Sequence, residues 1–134
     1  MSEPEGPMEL ERLLDEMLAV RGATAAALVG ADGELLASRS LDRALLERTV
    51  SIITSALAAG RALGELLAEE ADASEAGTSL EQVTLMFGEG PILLSPLPGG
   101  ERVMVLAVES EHDLGRARLA LRGNLRRLAQ AASA

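Results

Sequence analysis

The densest group of chemically capable side chains is Glu109-Ser110-Glu111-His112-Asp113, which holds the only histidine of a chain that has no cysteine. Carboxylates beside an imidazole could ligate a metal or exchange a proton with a substrate. The spacing argues against both uses. Ligands that act together on a helix recur at i and i+4, as in H-E-x-x-H, whereas consecutive residues point in different directions. The segment reads instead as the polar turn before a helix, with acidic residues at the positive end of the helix dipole. Gly88-Glu89-Gly90-Pro91 has the glycines of a phosphate-binding loop but lacks the Gly-Lys-Ser/Thr that completes one. Its proline also removes a cradling amide, so a hairpin turn is expected. No serine stands in a G-x-S-x-G elbow. The pairs Asp15-Glu16 and Glu69-Glu70 are adjacent, diverge around a helix and read as wet faces. The expectation is a non-enzyme with no metal and no cofactor.

Composition narrows the partners. The formal charge is -9, Phe87 is the only aromatic residue and every basic residue is arginine. Such a chain repels nucleic acid and offers no stacking platform for bases. Residues 111–134 carry five Arg against Glu111 and Asp113, a local +3 that leaves -12 on the remainder. Cations gathered near the C-terminal end of a helix, where the macrodipole favours them, account for this. No apolar run is expected to reach a membrane span, and the start, Ser2-Glu3-Pro4-Glu5-Gly6-Pro7, is acidic rather than basic. A cytoplasmic location without membrane insertion follows as an expectation.

With 134 residues and 48% hydrophobic content, the chain is expected to fold as one domain with an aliphatic core. Residues 1–7 read as a flexible N-terminus, 8–130 as the domain and 131–134 as a tail. Leu10, Leu13, Leu14, Met17 and Leu18 have helical spacing, with Pro7 before them and Gly22 after. Thr24–Val29 and Glu34–Ser38 read as strands around an Asp32-Gly33 turn, and the small apolar residues of the first suit an interior position. Asp42 to Glu70 reads as one helix about 40 Å long, capped by Ser40 or Asp42. A polar linker over 71–77 precedes strands at Leu80–Phe87, Ile92–Ser95 and Arg102–Val108, whose short turns imply an antiparallel meander. Leu114, Ala117, Leu121, Leu125 and Leu128 then mark a last helix, started by Ser110 or Asp113. Two strands apolar on both faces demand helices on both sides of the sheet. The fold class is therefore α/β of the α+β kind: an α-β-β-α-β-β-β-α domain around a five-stranded antiparallel sheet.

The long helix is more apolar than one sheet requires. At 100° per residue, Leu46, Thr49, Val50, Ile53, Ala56, Leu57, Gly60, Gly64 and Leu67 fall within about 60° of one direction, a stripe able to cover the sheet. A second line, Leu45, Ile52, Ala59 and Leu66, repeats every seven residues with Leu63 beside it. Ala56, Gly60 and Gly64 lower the helix profile and permit close backbone approach. The second line either packs on another helix of the same chain or on a partner, most simply its own copy about a two-fold axis. The latter is favoured, because Glu47, Ser51, Glu65 and Glu69 already supply a wet side.

The run from Gly22 through Gly30-Ala31-Asp32-Gly33 to Ser38, the long helix, Leu80-Glu81-Gln82-Val83-Thr84-Leu85 and Leu114-Gly115-Arg116-Ala117-Arg118, in this order, resemble the Roadblock (dynein light-chain-seven) domain family and its bacterial MglB-like branch. The resemblance implies a profilin-like architecture and homo- or heterodimers in which the third strands, here Leu80, Val83, Leu85 and Phe87 with their neighbours, join two sheets edge to edge. It implies that the long helices pair on one face while the other two helices cover the opposite face. It also implies a non-catalytic platform that recruits or stimulates a small Ras-like GTPase. The rival expectation is a small-ligand sensor of profilin-like fold, which would require a sizeable pocket with a few convergent polar groups; the small residues of Ala25–Ala27 favour tight packing instead.

Overall fold

In the computed structural model, residues 5–30, 34–40, 43–70, 80–98 and 102–133 are described. Helix α1 (Glu5–Leu18) takes Pro7 into its first turn, where a missing N–H removes no helical bond. It ends before Gly22, whose φ of 92° turns the chain into the sheet. Strands β1 (Ala23–Val29) and β2 (Leu35–Arg39) pair antiparallel. The Asp32-Gly33 turn and the cap at Asp42 lie outside the described residues. Helix α2 (Arg43–Glu70) is followed by β3 (Val83–Leu85), β4 (Ile92–Pro96) and β5 (Val103–Val108). A single 3-10 turn, Glu111–Asp113, then leads into α3 (Leu114–Ser133).

The five strands lie in the order β2-β1-β5-β4-β3, all antiparallel. Strands β3, β4 and β5 form the expected meander. β1 is interior, between β2 and β5, and its residues from Ala25 to Val29 are buried. Alternation of side chains then divides the core in two. Ala26, Leu28, Leu93, Met104 and Leu106 face α1 and α3, meeting Leu13, Leu14, Met17, Ala117, Leu121 and Leu128. Ala27, Val29, Leu35, Leu94, Val103 and Val105 face α2, meeting Val50 and Leu57, with Ile53 and Ala56 half-buried beside them. Helices thus cover both faces, as two doubly apolar strands require.

Strand β3 is shorter than the expected Leu80–Phe87. Its ladder with β4 runs only from Val83 opposite Leu94 to Leu85 opposite Ile92. Extended toward Leu80, that register would bring Pro96 to face β3, and proline has no N–H to donate. The ladder stops there. At the other end Met86 and Phe87 are exposed and lead into the Gly88 turn. This turn is a hairpin connection, as expected of Gly88-Glu89-Gly90-Pro91: the Gly90 N–H donates to the Phe87 carbonyl at 3.0 Å.

The arginines of α3 do not sit where the dipole argument puts them. The last turn of α3 contains no basic residue. Instead Arg127 Nη1 donates to Glu16 Oε1 of α1 at 3.3 Å, and its Nη2 lies 3.8 Å from Glu9 Oε2. Arg116 Nη1 reaches Asp113 Oδ1 at 3.3 Å. Cross-helix and local pairing, rather than the dipole, accounts for these two cations. On β2, Arg39 reaches Asp15 at 2.9 Å and Glu11 at 3.2 Å. Its guanidinium pKa is pushed further up, chiefly by the hydrogen bond to Asp15, so it stays charged and ties the outer strand to α1.

Candidate functional site

The feature without a counterpart among the described residues is the outer side of α2. The helix spans the sheet face and reaches β3 at Gly60, where an added Cβ would lie 3.3 Å from a Leu80 methyl and 3.5 Å from one of Val83. Glycine at this position lets backbone approach the edge strand. Beyond Gly60 the rest of the helix, residues 61–70, about 15 Å long, contributes nothing to the buried core among the described residues. The C-terminal third of α2 therefore projects past the edge of the sheet.

That projection decides where the second apolar line goes. Ile52 is 66% exposed and Leu66 63%, with Leu63 at 57% between them; Ala59 is exposed as well. Packing on α1 or α3 is excluded by geometry, since both helices cover the opposite face of the sheet. Leu67, which its angle groups with the sheet-facing stripe, is 61% exposed. The helix has left the sheet before it reaches Leu67. Ala56, Leu80, Val83 and Leu85 are half-buried against the α2-side core, and Phe87 stands exposed at the end of β3. The side chain of Leu45 lies outside the described residues. The projecting helix thus lies beside the outer edge of β3, which is unpaired among the described residues.

By length and composition, Val50–Glu70 qualifies as a membrane-crossing helix, with a mean hydropathy of 1.4 and little of it buried. This corrects the expectation that no run reaches that size. Scattered Ser51, Thr54, Arg61 and Glu65 conceal it from a reading by consecutive apolar residues. The same helix is tied to the sheet through Val50, Ile53, Ala56 and Leu57.

His112 is exposed in its 3-10 turn. Among the described residues no group of three or more histidines and carboxylates comes together to hold a metal. Its neighbour Asp113 is occupied structurally, accepting from Ser110 Oγ at 3.1 Å and from Arg116. His112→Ala is expected to change unfolding free energy by no more than about 0.5 kcal/mol, read by urea denaturation; a loss of several times that would assign His112 a role not visible in its contacts.

One constellation is not apparent in the sequence. Between α3 and the β3–β4 edge, on the face opposite α2, lies a half-open cleft of about 630 Å³ lined by both apolar and polar side chains. Arg118 reaches across it, donating from Nε to Gln82 Oε1 at 2.9 Å and from Nη2 to Thr84 Oγ1 at 3.1 Å. The signal is present as Arg118, Leu121, Arg122 and Leu125, two interleaved i,i+4 pairs, but it can be read only once α3 is placed beside β3.

Residues 9–97 match the Roadblock/LC7 domain. No curated protein matches. Among solved structures, the gliding protein MglB of Thermus thermophilus superposes with a TM-score of 0.77 at 20% identity, covering 99% of this chain and 93% of that one. MglB of Myxococcus xanthus gives 0.77 at 17% identity, covering 97% and 91%. An MglB with a tetrameric arrangement gives 0.78 at 22% identity, covering 99% and 93%. At these identities the likeness establishes a shared fold.

Proposed function

We propose, from the premise that this chain belongs to the Roadblock/LC7 domain family, that it is a non-catalytic homodimeric platform that regulates or scaffolds a small Ras-like GTPase in the cytoplasm. The observation that carries this reading is the α2 line through Ile52, Leu63 and Leu66, more than half exposed and out of reach of the other helices of its chain. A copy related by a two-fold axis would cover it with the same line, and the outer edge of β3 would find its own antiparallel partner beside it. Each leucine or isoleucine so covered contributes about 1–2 kcal/mol. Contributed by both copies, these exceed the lower estimates of association entropy. A structural relative is described as having a tetrameric arrangement, which supports self-association as the working state of this fold.

The GTPase is the finer part of the reading, and it rests on the family. The test is a hydrolysis assay on a Ras-like GTPase that co-purifies with the wild-type chain from native lysate. The expected result is a changed rate of GTP hydrolysis, or preferential binding of the GTP-loaded form, with the wild type and neither with Leu66→Glu. A GTPase that binds equally to both chains and hydrolyses at its basal rate would overturn the reading.

A further inference from the structure

We propose that the cleft between α3 and the β3–β4 edge is a binding site for an anionic amphiphile, a small carboxylate carrying an aliphatic chain. The floor is apolar: Leu97 and Leu121 are buried, and Leu125 closes one side. Ser95, 2% exposed, is the one buried polar residue of the described core, and it lies in this lining. The charge at the mouth is unusual for so acidic a chain. Arg118 is fixed by two neutral acceptors, Gln82 and Thr84, so its Nε and Nη2 are occupied while its charge is not neutralised. Arg122, one turn along α3, stands exposed at the same rim and meets no carboxylate among the described residues. The other anchored arginines, Arg12, Arg39, Arg116 and Arg127, all meet carboxylates.

Two guanidiniums that form no ion pair among the described residues, at the rim of an apolar cleft, match a ligand with one anionic end and one aliphatic end. A carboxylate accepts from Arg118 Nη1 and from Arg122 in the charge-assisted geometry that arginine favours. The chain then lies against Leu97, Leu121 and Leu125. The volume falls in the range of small-molecule sites. No aromatic side chain lines the cleft, so nothing offers a stacking face to a nucleobase. Glu81 also lines it and disfavours ligands of high negative charge.

The cleft is on the opposite face of the sheet from the exposed α2 line, so the two surfaces can be tested apart. Decanoate is titrated into the wild-type chain below its micelle concentration by calorimetry, with decanol and inorganic phosphate as partial probes. Expected is saturable binding of one decanoate per chain, retained in Ile52→Glu and weakened about tenfold or more in the double variant Arg118→Gln, Arg122→Gln. Both arginines are exposed, and circular dichroism checks that the double variant is folded. Decanol and phosphate, each lacking one half of the ligand, are expected to bind more weakly than decanoate. Absence of saturable decanoate binding, equal binding by the double variant, or loss of binding in Ile52→Glu would each overturn the proposal, the last by moving the amphiphile to α2.

Discussion

Ile52→Glu is expected to convert a dimer into a folded monomer. In the single chain Ile52 is 66% exposed, so a carboxylate there stays hydrated and the monomer loses little. Across a two-fold α2 contact the same carboxylate would be stripped of water against leucines and opposed by its own copy. Burial of an unpaired charge costs about 3–5 kcal/mol, which raises the dissociation constant by roughly a hundredfold to several thousandfold. Light scattering after size exclusion should report one chain per particle, with an unchanged far-ultraviolet spectrum. Leu66→Glu should behave alike. Ser51→Glu, one residue away on the exposed arc, should remain dimeric. If Ile52→Glu still elutes as a dimer, α2 is not the contact and the proposed face is wrong; a wild-type monomer at high micromolar concentration would remove the dimer altogether.

The second large effect concerns the hairpin between β3 and β4. Gly90 has a φ of 129°, a region that side chains with a Cβ rarely occupy, and a Cβ there would collide with the Val108 carbonyl and lie 2.9 Å from that of Glu109. Both obstacles are backbone of the strand end that β4 must pair with, so neither can swing aside. Gly90→Ala should cost about 3 kcal/mol from conformational strain and displaced backbone, lowering the melting temperature by about 10 °C. Gly88, two residues earlier, has nothing within 4 Å of its would-be Cβ. Gly88→Ala should change stability by under about 0.5 kcal/mol. Equal effects of the two substitutions would show that crowding by Val108 does not constrain the turn.

The two glycines illustrate what a linear reading can and cannot reach. Gly88-Glu89-Gly90-Pro91 announces a turn by composition, because turn residues act over four positions. Which glycine is indispensable depends on Val108, far along the chain, and becomes visible only when β4 and β5 are paired. The same division runs through the whole fold. Helix faces such as Leu10, Leu13, Leu14 and Met17, and the doubly apolar β1 and β5, are legible because periodicity encodes burial directly. The placement of β5 between β1 and β4 is not, since adjacency in a sheet leaves no local mark. β3 is overestimated because Leu80–Phe87 is strand-like throughout, while the residue that ends it, Pro96, belongs to its neighbour.

At the candidate site, periodicity separates two apolar lines on α2 and leaves one without a sheet to cover. It misassigns Leu67, because the angular position of a residue says nothing about where the sheet ends beneath the helix. The cleft beside α3 is invisible for a related reason. Its walls come from Gln82 and Thr84 on one element and Arg118 on another, 34 to 36 positions apart. The cluster of arginines stands out in the sequence, but charge alone does not distinguish cations that tie α3 to α1 from those left facing an open space.

The strand order also governs the timing of folding. β1 is joined on one side to β2, a few residues downstream, and on the other to β5, with Val29 opposite Val103 and Ala26 opposite Leu106. The centre of the sheet therefore closes a loop of roughly seventy residues or more, a contact whose entropy must be met before its burial is gained. During synthesis, β1 emerges with its β5 side bare and stays so until the last strand leaves the ribosome. At about 5–20 residues per second that interval is several seconds. Throughout it, residues 25–29 offer an unpaired hydrophobic edge to any other nascent strand. A strand interior to the finished sheet is thus open to mispairing while it is being made, and the protein's yield in a cell depends on what shields that edge in the meantime.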